Sequence, residues 1–280
     1  MEAKQAASAS RLMLYRALAT RIREHVISMT HRAKAAHVGT SLSMADLLAV
    51  LYGGVLRVDP TRSAWPDRDR FILSKGHGCA GLYAVLADRG FFPVEWLEQF
   101  YEDGSKLAGH ITHTGVPGVD VSTGALGHGL SIGCGMALAA KRDGRPFRVF
   151  TLLSDGECDE GSLWEAALFA PHHGLDNLVA IVDFNGIQSL GPVREVLDLD
   201  PLGAKWQAFG WAVREIDGHH LQQIEDALAS IPFEQGRPSC IVARTVKGKG
   251  VSFMENKLLW HYRSPDVDEL RRALGELGAG

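Results

Sequence analysis

No C-x-x-C pair occurs in the sequence: its four cysteines, Cys79, Cys134, Cys158 and Cys240, are scattered over 280 residues. That spacing excludes a disulfide framework and a structural zinc site, and it fits a reducing, cytoplasmic setting. An excess of positive charge is also missing. With 29 basic against 33 acidic residues and a net charge of −4, the chain lacks the basic field that nucleic acids require, so neither DNA nor RNA is an expected partner. Nor is there a long apolar run. The longest weakly polar stretch, 124–140, contains His128 and four glycines after Gly124, and it stops short of the roughly 18 consecutive apolar residues of a membrane span. The opening MEAKQAASAS has no apolar segment of the secretion-signal kind. Residues 1–10 are expected to be a flexible N-terminus and 11–280 a single domain.

What is present is a patterned α/β chain, 46% hydrophobic, enough to bury a substantial core. Leu12, Tyr15, Leu18, Ile22, Val26 and Met29 recur at three- and four-residue steps, which predicts an amphipathic helix over about 10–34. Ser43 then stands where it can cap a helix over MADLLAVLYGGVL, with Gly53 and Gly54 as its end. Residues 59–69, rich in Pro, Asp and Arg, read as a surface connection leading into the short apolar run Phe71-Ile72-Leu73. Four apolar, β-branched runs follow at 148–153, 178–183, 212–216 and 240–246, separated by helical patterns such as 163–170 and 221–231. The alternation predicts a central, mainly parallel sheet covered by helices on both faces.

In such a sheet ligands collect where strands end and connections diverge. The run 148–153 ends on Ser154-Asp155-Gly156, and the next run ends on Asn185-Gly186-Ile187, thirty residues after Asp155. Asp155 offers a hard carboxylate oxygen, Gly156 lets a phosphate approach the backbone, and a helix beginning near Ser162 adds its N-terminal dipole. Magnesium takes few protein oxygens and completes its shell with phosphate oxygens, so Asp155, Asn185 and the Ile187 carbonyl are a plausible set for a metal bridging a diphosphate. Either dipeptide alone is ordinary turn chemistry. Their spacing at two strand ends points further, and S-D-G followed by N is similar to the thiamine-diphosphate motif, with Ser154 in place of its first glycine.

Two longer segments carry the resemblance. R-D-R-F-I-L-S-K-G-H-G at 68–78 and P-G-V-D-V-S-T-G-A-L-G-H-G at 117–129 resemble the transketolase patterns R-D-R-F-x-L-S-x-G-H and P-G-[VI]-[ED]-x-[ST]-T-G-x-L-G-[QH]-G. With A-H-V-G at 36–39, A-G-H at 108–110 and W-H at 260–261, the similarity spans nearly the whole chain, in register with that family's diphosphate-binding domain. The resemblance implies a thiamine-diphosphate-binding fold. It implies catalytic or channel-lining roles for His37, His77, His110 and His261, and an interface role coupling two sites for Glu160. It implies cofactor contacts from His77, Gly124, Leu126, Gly156, Glu157, Asn185 and His261, and Mg²⁺, with Ca²⁺ or Mn²⁺ as substitutes, on Asp155, Asn185 and Ile187. Histidines suit the chemistry, because an imidazole titrating near 6.5 exchanges protons with sugar hydroxyls near neutrality. His25, His172, His173, His219 and His220 read as surface or structural, and His113 stays open between the two groups.

The resemblance also implies a partner. The glutamate that activates the cofactor and the arginines that hold the sugar phosphate belong to the family's pyrimidine-binding domain, which follows the region represented here. The expected protein is therefore the N-terminal subunit of a split transketolase in an α₂β₂ heterotetramer, moving a two-carbon ketol unit from a ketose or ketose phosphate to an aldose. The alternatives are a non-catalytic cofactor-binding scaffold, the α-chain of a 2-oxoacid dehydrogenase, and a 1-deoxyxylulose-5-phosphate-synthase-like subunit. Lys247-Gly248-Lys249-Gly250 reads as a solvated turn rather than a phosphate-attracting hinge.

Overall fold

The computed structural model describes residues 2–278, with side chains from Ala7 onward. Its centre is one parallel sheet in the order β1-β2-β3-β5-β4. The strands are β1 (Arg70–Leu73), β2 (Val149–Ser154), β3 (Leu178–Phe184), β4 (Ala212–Asp217) and β5 (Ser239–Arg244). Each falls on an apolar run read from the sequence. Every residue of β2 and β3 is buried, as central strands of a sheet covered on both faces must be. Successive side chains alternate between faces. Phe150, Leu152, Val179, Ile181 and Ile241 enter one apolar layer; Val149, Leu153, Leu178, Ala180, Val182 and Val242 enter the other.

The first layer is closed by α1 (Glu2–Ala33), α2 (Val38–Ser43), α3 (Ala45–Val50) and α4 (Cys79–Asp88). On the opposite face lie α5 (Gly129–Arg142) and α6 (Gly161–His172), then the single turn α7 (Val193–Val196) and α8 (Leu202–Ala208). Helices α9 (Leu221–Ala229) and α10 (Val267–Gly278) return to the first layer. Each Val, Leu or Ile in these layers contributes about 1.5–3 kcal/mol relative to exposure, so the strand ends that carry the site are rigidly based. At the opposite, N-terminal edge the fully buried Asp69 joins the starts of β1 and β2, accepting from Arg57 Nη2 at 2.9 Å and Arg148 Nη2 at 2.6 Å. Among the described residues no helix is long and apolar enough to cross a membrane.

Two local expectations change. Helix α1 begins at Glu2, so residues 2–10 continue the helix rather than standing outside it. The Ala-rich segment has good helix propensity, and Ser8 Oγ and Arg11 Nε anchor it on α9 through Gln222 (3.1 Å) and Glu225 (2.8 Å). Ser43 does not cap the next helix. It ends α2, and its hydroxyl donates inward to Asp183 Oδ2 at 2.5 Å, leaving Met44 at the cap position with no side-chain bond. The buried carboxylate is the stronger acceptor. Gly53 and Gly54 do end the helical run, in a wide turn over Leu51–Val55. A Cβ on Gly53 would come within 2.7 Å of the Tyr15 ring.

Candidate active site

The C-terminal ends of β1, β2, β3 and β5 open onto one pocket of about 270 Å³, lined by His37, His77, His110 and His261 together with Asp155, Asn185, Ile187 and Lys247. Strands β2 and β3 are neighbours in register, Ser154 beside Asp183, so the residues just past their ends, Asp155 and Asn185, meet at one rim. Asp155 is 2% exposed. Among the described residues its oxygens accept two bonds, both from the backbone, from Gly156 N at 2.8 Å and Gly186 N at 2.6 Å. Burial and the neighbouring Asp183 push its carboxyl above the usual range. Gly186 makes its approach with φ of 79°, a conformation that costs glycine nothing.

This donor set fits a hard cation. A desolvated carboxylate without a bonded cationic side chain, an amide oxygen and a carbonyl are the few oxygens magnesium takes when phosphate supplies the rest. Among the described residues there is no group of three or more His, Cys, Asp or Glu side chains poised for a metal, so the thiolate and imidazole centres typical of zinc are not offered.

Four imidazoles face this rim. His37 lies 5.2 Å from His77, 6.1 Å from His110 and 5.0 Å from His261 between ring centroids. His37 takes the left-handed conformation, φ 70°, unusual for a non-glycine residue, and its N–H donates to the His261 carbonyl at 2.9 Å. Two distant segments are thereby locked together. Burial first, then repulsion from His110 and Lys247, brings the His37 pKa down to about 4. Burial, Lys247 and His37 bring His261 to about 3, and His77 is lowered by burial and Lys75. Near neutrality these three are uncharged, offering one donor and one acceptor each.

Lys247 is 1% exposed, the opposite of the solvated turn expected. Its Nζ donates to Ile187 O at 2.8 Å and lies 2.9 Å from His261 Nδ1; an ammonium only donates, so that nitrogen accepts. Burial is the main cause that brings its pKa down to about 8. Below the rim Lys75 and Asp183, both fully buried, form an ion pair that also engages Thr40, Ser43 and Thr245. Neither this pair nor the placement of Lys247 was read from the sequence.

Gly124, Leu126 and Gly156 line the pocket. Glu157 does not. It is fully buried in the turn Gly156–Asp159 and accepts from Ser74 Oγ, from Gly127 N at 2.9 Å and from Ser154 N at 3.1 Å. It therefore ties three loops together behind the wall, because the tight turn after Asp155 rotates the next side chain inward. Glu160 is exposed at the start of α6, outside the pocket lining. His113 is exposed too, 2.7 Å from Ser122 Oγ, and does not line the pocket.

The family described as the thiamine diphosphate binding domain of transketolase matches residues 15–278. The 6-deoxy-6-sulfo-D-fructose transketolase subunit SqwG of Clostridium sp. (strain MSTE9) is 45% identical over 241 residues, 86% of this chain and 88% of that protein. An apulose-4-phosphate transketolase subunit of Actinobacillus succinogenes is 43% identical over 257 residues, 91% of this chain and 93% of its own length. The crystal structure of transketolase from Campylobacter jejuni superposes with a TM-score of 0.90 at 30% identity, over 95% of this chain but only 43% of that one. The chain belongs to the transketolase family, within its N-terminal, thiamine-diphosphate-binding part. It is a thiamine-diphosphate-dependent transferase subunit of the divided kind, and nothing in these likenesses favours a synthase, an oxoacid dehydrogenase or a scaffold.

Proposed function

We propose that this chain works with a second polypeptide carrying the pyrimidine-binding domain, in an α₂β₂ assembly, to move a two-carbon ketol unit from a ketose to an aldose. Its substrates carry an anionic tail, phosphate or sulfonate, as in the sugars for which the two relatives above are named. The observation that carries the reading is the meeting of Asp155, Asn185, Ile187, Lys247 and four histidines at the strand ends. Four buried, unpaired cysteines suit the reducing cytoplasm as its place of work.

The Asp155 carboxylate, the Asn185 amide oxygen and the Ile187 carbonyl would hold magnesium, or calcium or manganese in its place, which would offset the charge of a diphosphate. When bound, thiamine diphosphate supplies the carbon nucleophile and the electron sink for breaking and making the ketol bond. His77, His261 and Lys247 would hold the diphosphate side, with Gly156 admitting it to the backbone, and Gly124 and Leu126 would lie beside the pyrimidine ring. His37, His110 and His261 face the substrate channel, where neutral imidazoles give and take the protons of sugar hydroxyls. Glu160, outside the pocket, couples the sites through its contact with a neighbouring chain.

The test is co-expression with a pyrimidine-domain polypeptide and assay of ketol transfer from ketose phosphates and their sulfonate analogues, with the cofactor and Mg²⁺ present. Transfer by the pair alone, abolished in Asp155→Ala, is expected. A stable, cofactor-loaded pair that transfers nothing from any of these donors would overturn the reading.

A further inference from the structure

We propose that His219 is a positioning residue for the cofactor pocket: with Asp46 it fixes the backbone at Val246 and so aims the Lys247 ammonium at the diphosphate. The inference rests on the diphosphate-binding role given to Lys247 above. His219 lies outside the pocket, on the connection between β4 and α9. Its Nε2 stands 2.8 Å from Val246 N and its Nδ1 2.7 Å from Asp46 Oδ2. A backbone N–H can only donate, so Nε2 is the bare nitrogen; the proton sits on Nδ1 and is donated to Asp46. Asp46 in turn accepts from Arg23 Nη1 at 3.2 Å and Nη2 at 2.5 Å. The three side chains are 9–13% exposed, so the relay runs with little competition from water.

The turn after β5 is tied to the rest of the chain through each of residues 245–248. Thr245 N donates to Phe184 O at 3.0 Å, Asn256 N to Lys247 O at 2.9 Å and Gly248 N to Gly39 O at 2.9 Å, all main-chain bonds. Of these ties, the bond from Val246 N to His219 is the one whose main-chain N–H depends on a side chain. Removing that acceptor leaves a part-buried N–H unpaired, a penalty that the turn relieves by moving toward water. Lys247 is the next residue, and its bonds to Ile187 O and His261, at 2.8 and 2.9 Å, do not survive a displacement of about 1 Å.

Gln and Asn mimic the two imidazole nitrogens separately. His219→Gln keeps an acceptor for Val246 near the position of Nε2; His219→Asn keeps a donor for Asp46 near that of Nδ1 and loses the acceptor. In the two-chain complex with Mg²⁺, calorimetry is expected to show thiamine diphosphate affinity falling about tenfold in His219→Asn, the scale on which supporting groups act. It should stay near wild type in His219→Gln, with both variants melting alike. In a Lys247→Met background His219→Asn should cost nothing further. Wild-type affinity in His219→Asn, an additive loss in the double variant, or equal losses in Asn and Gln that track melting temperature each overturn the proposal. Amide exchange in the two-chain complex separates the two claims. Faster exchange at 246–248 in His219→Asn but not His219→Gln, in a protein that binds no thiamine diphosphate, sinks the reading of the pocket and leaves the coupling of His219 to Lys247 standing; unchanged exchange sinks the coupling.

Discussion

Lys75 and Lys247 are both buried around one pocket, and the fold treats them in opposite ways. Lys75, fully buried, is neutralised within the chain by Asp183 and bonded to Thr40 Oγ1 at 3.0 Å. Lys247, 1% exposed, meets a carbonyl and an imidazole, with no carboxylate in ion-pair contact among the described residues. Burying a charge without a counter-ion is costly, and the downward pull on Lys247, to about 8, comes chiefly from that burial. Where the compensating charge is built in, the lysine belongs to the scaffold. Where no carboxylate is in contact, and Asp155 and Asp183 act only from a distance, the lysine is left free for the anion of the proposed site.

The largest effect should come from breaking the internal pair. Lys75→Met leaves Asp183 buried with only Ser43 and Thr245 to satisfy it, and removing one partner of a buried pair costs about 3–5 kcal/mol. Urea denaturation should therefore show a lower midpoint at unchanged slope, and replacing both residues by apolar ones, Lys75→Met with Asp183→Leu, should recover much of the loss. Lys247→Met is the converse. Stability should hold or rise slightly, while thiamine diphosphate affinity in the two-chain complex falls about 10- to 100-fold, the worth of a hydrogen bond to a charged group. A variant that loses stability and keeps affinity would erase the contrast between the lysines.

A smaller, graded effect comes from the other carboxylates neutralised inside the fold. Burial alone would raise Asp46 and Asp69, but Arg23 with His219, and Arg148 with Arg57, outweigh it, so both sit below the ordinary carboxylate range. A depressed folded pKa contributes stability that is fully present above the unfolded value near 4 and is lost as pH falls through the folded one. Melting temperature should accordingly decline below about pH 4. Asp69→Asn should start lower and decline less steeply; an identical acid slope in wild type and variant would remove Asp69 from the account.

Much of this was legible in the sequence because its cause is local. Strands buried on both faces must read as continuous apolar runs, and Asp155 and Asn185 stand at the ends of two of them. The histidine cluster was legible through the motifs flanking His37, His77, His110 and His261, not through spacing. What escaped depends on distant contacts. Lys247 is buried because Ile187, sixty residues away, and His261, fourteen away, close over it, and K-G-K-G by itself has the look of a turn. Glu157 follows Gly156 directly, yet one tight turn sends it behind the pocket wall. Ser43 had the composition of a cap and was taken by Asp183, a residue 140 positions on.

The finest test sets Lys247 against Lys249, two residues further along the same turn. Lys249 has 36% of its side chain exposed and lies 3.5 Å from Glu255, and an exposed pair of this kind contributes about 0.2–1 kcal/mol at most. Lys249→Met should change denaturation by no more than that and leave cofactor affinity untouched, at low and high salt alike. If affinity fell with Lys249→Met, and the loss disappeared at high salt, the turn would be acting through its summed field, which screens over about 10 Å at 0.1 M salt. Lys247 would then owe its effect to charge at large. Salt-independent loss confined to Lys247→Met places it in contact, where the hydrogen bonds to Ile187 and His261 hold the ammonium at one spot on the rim.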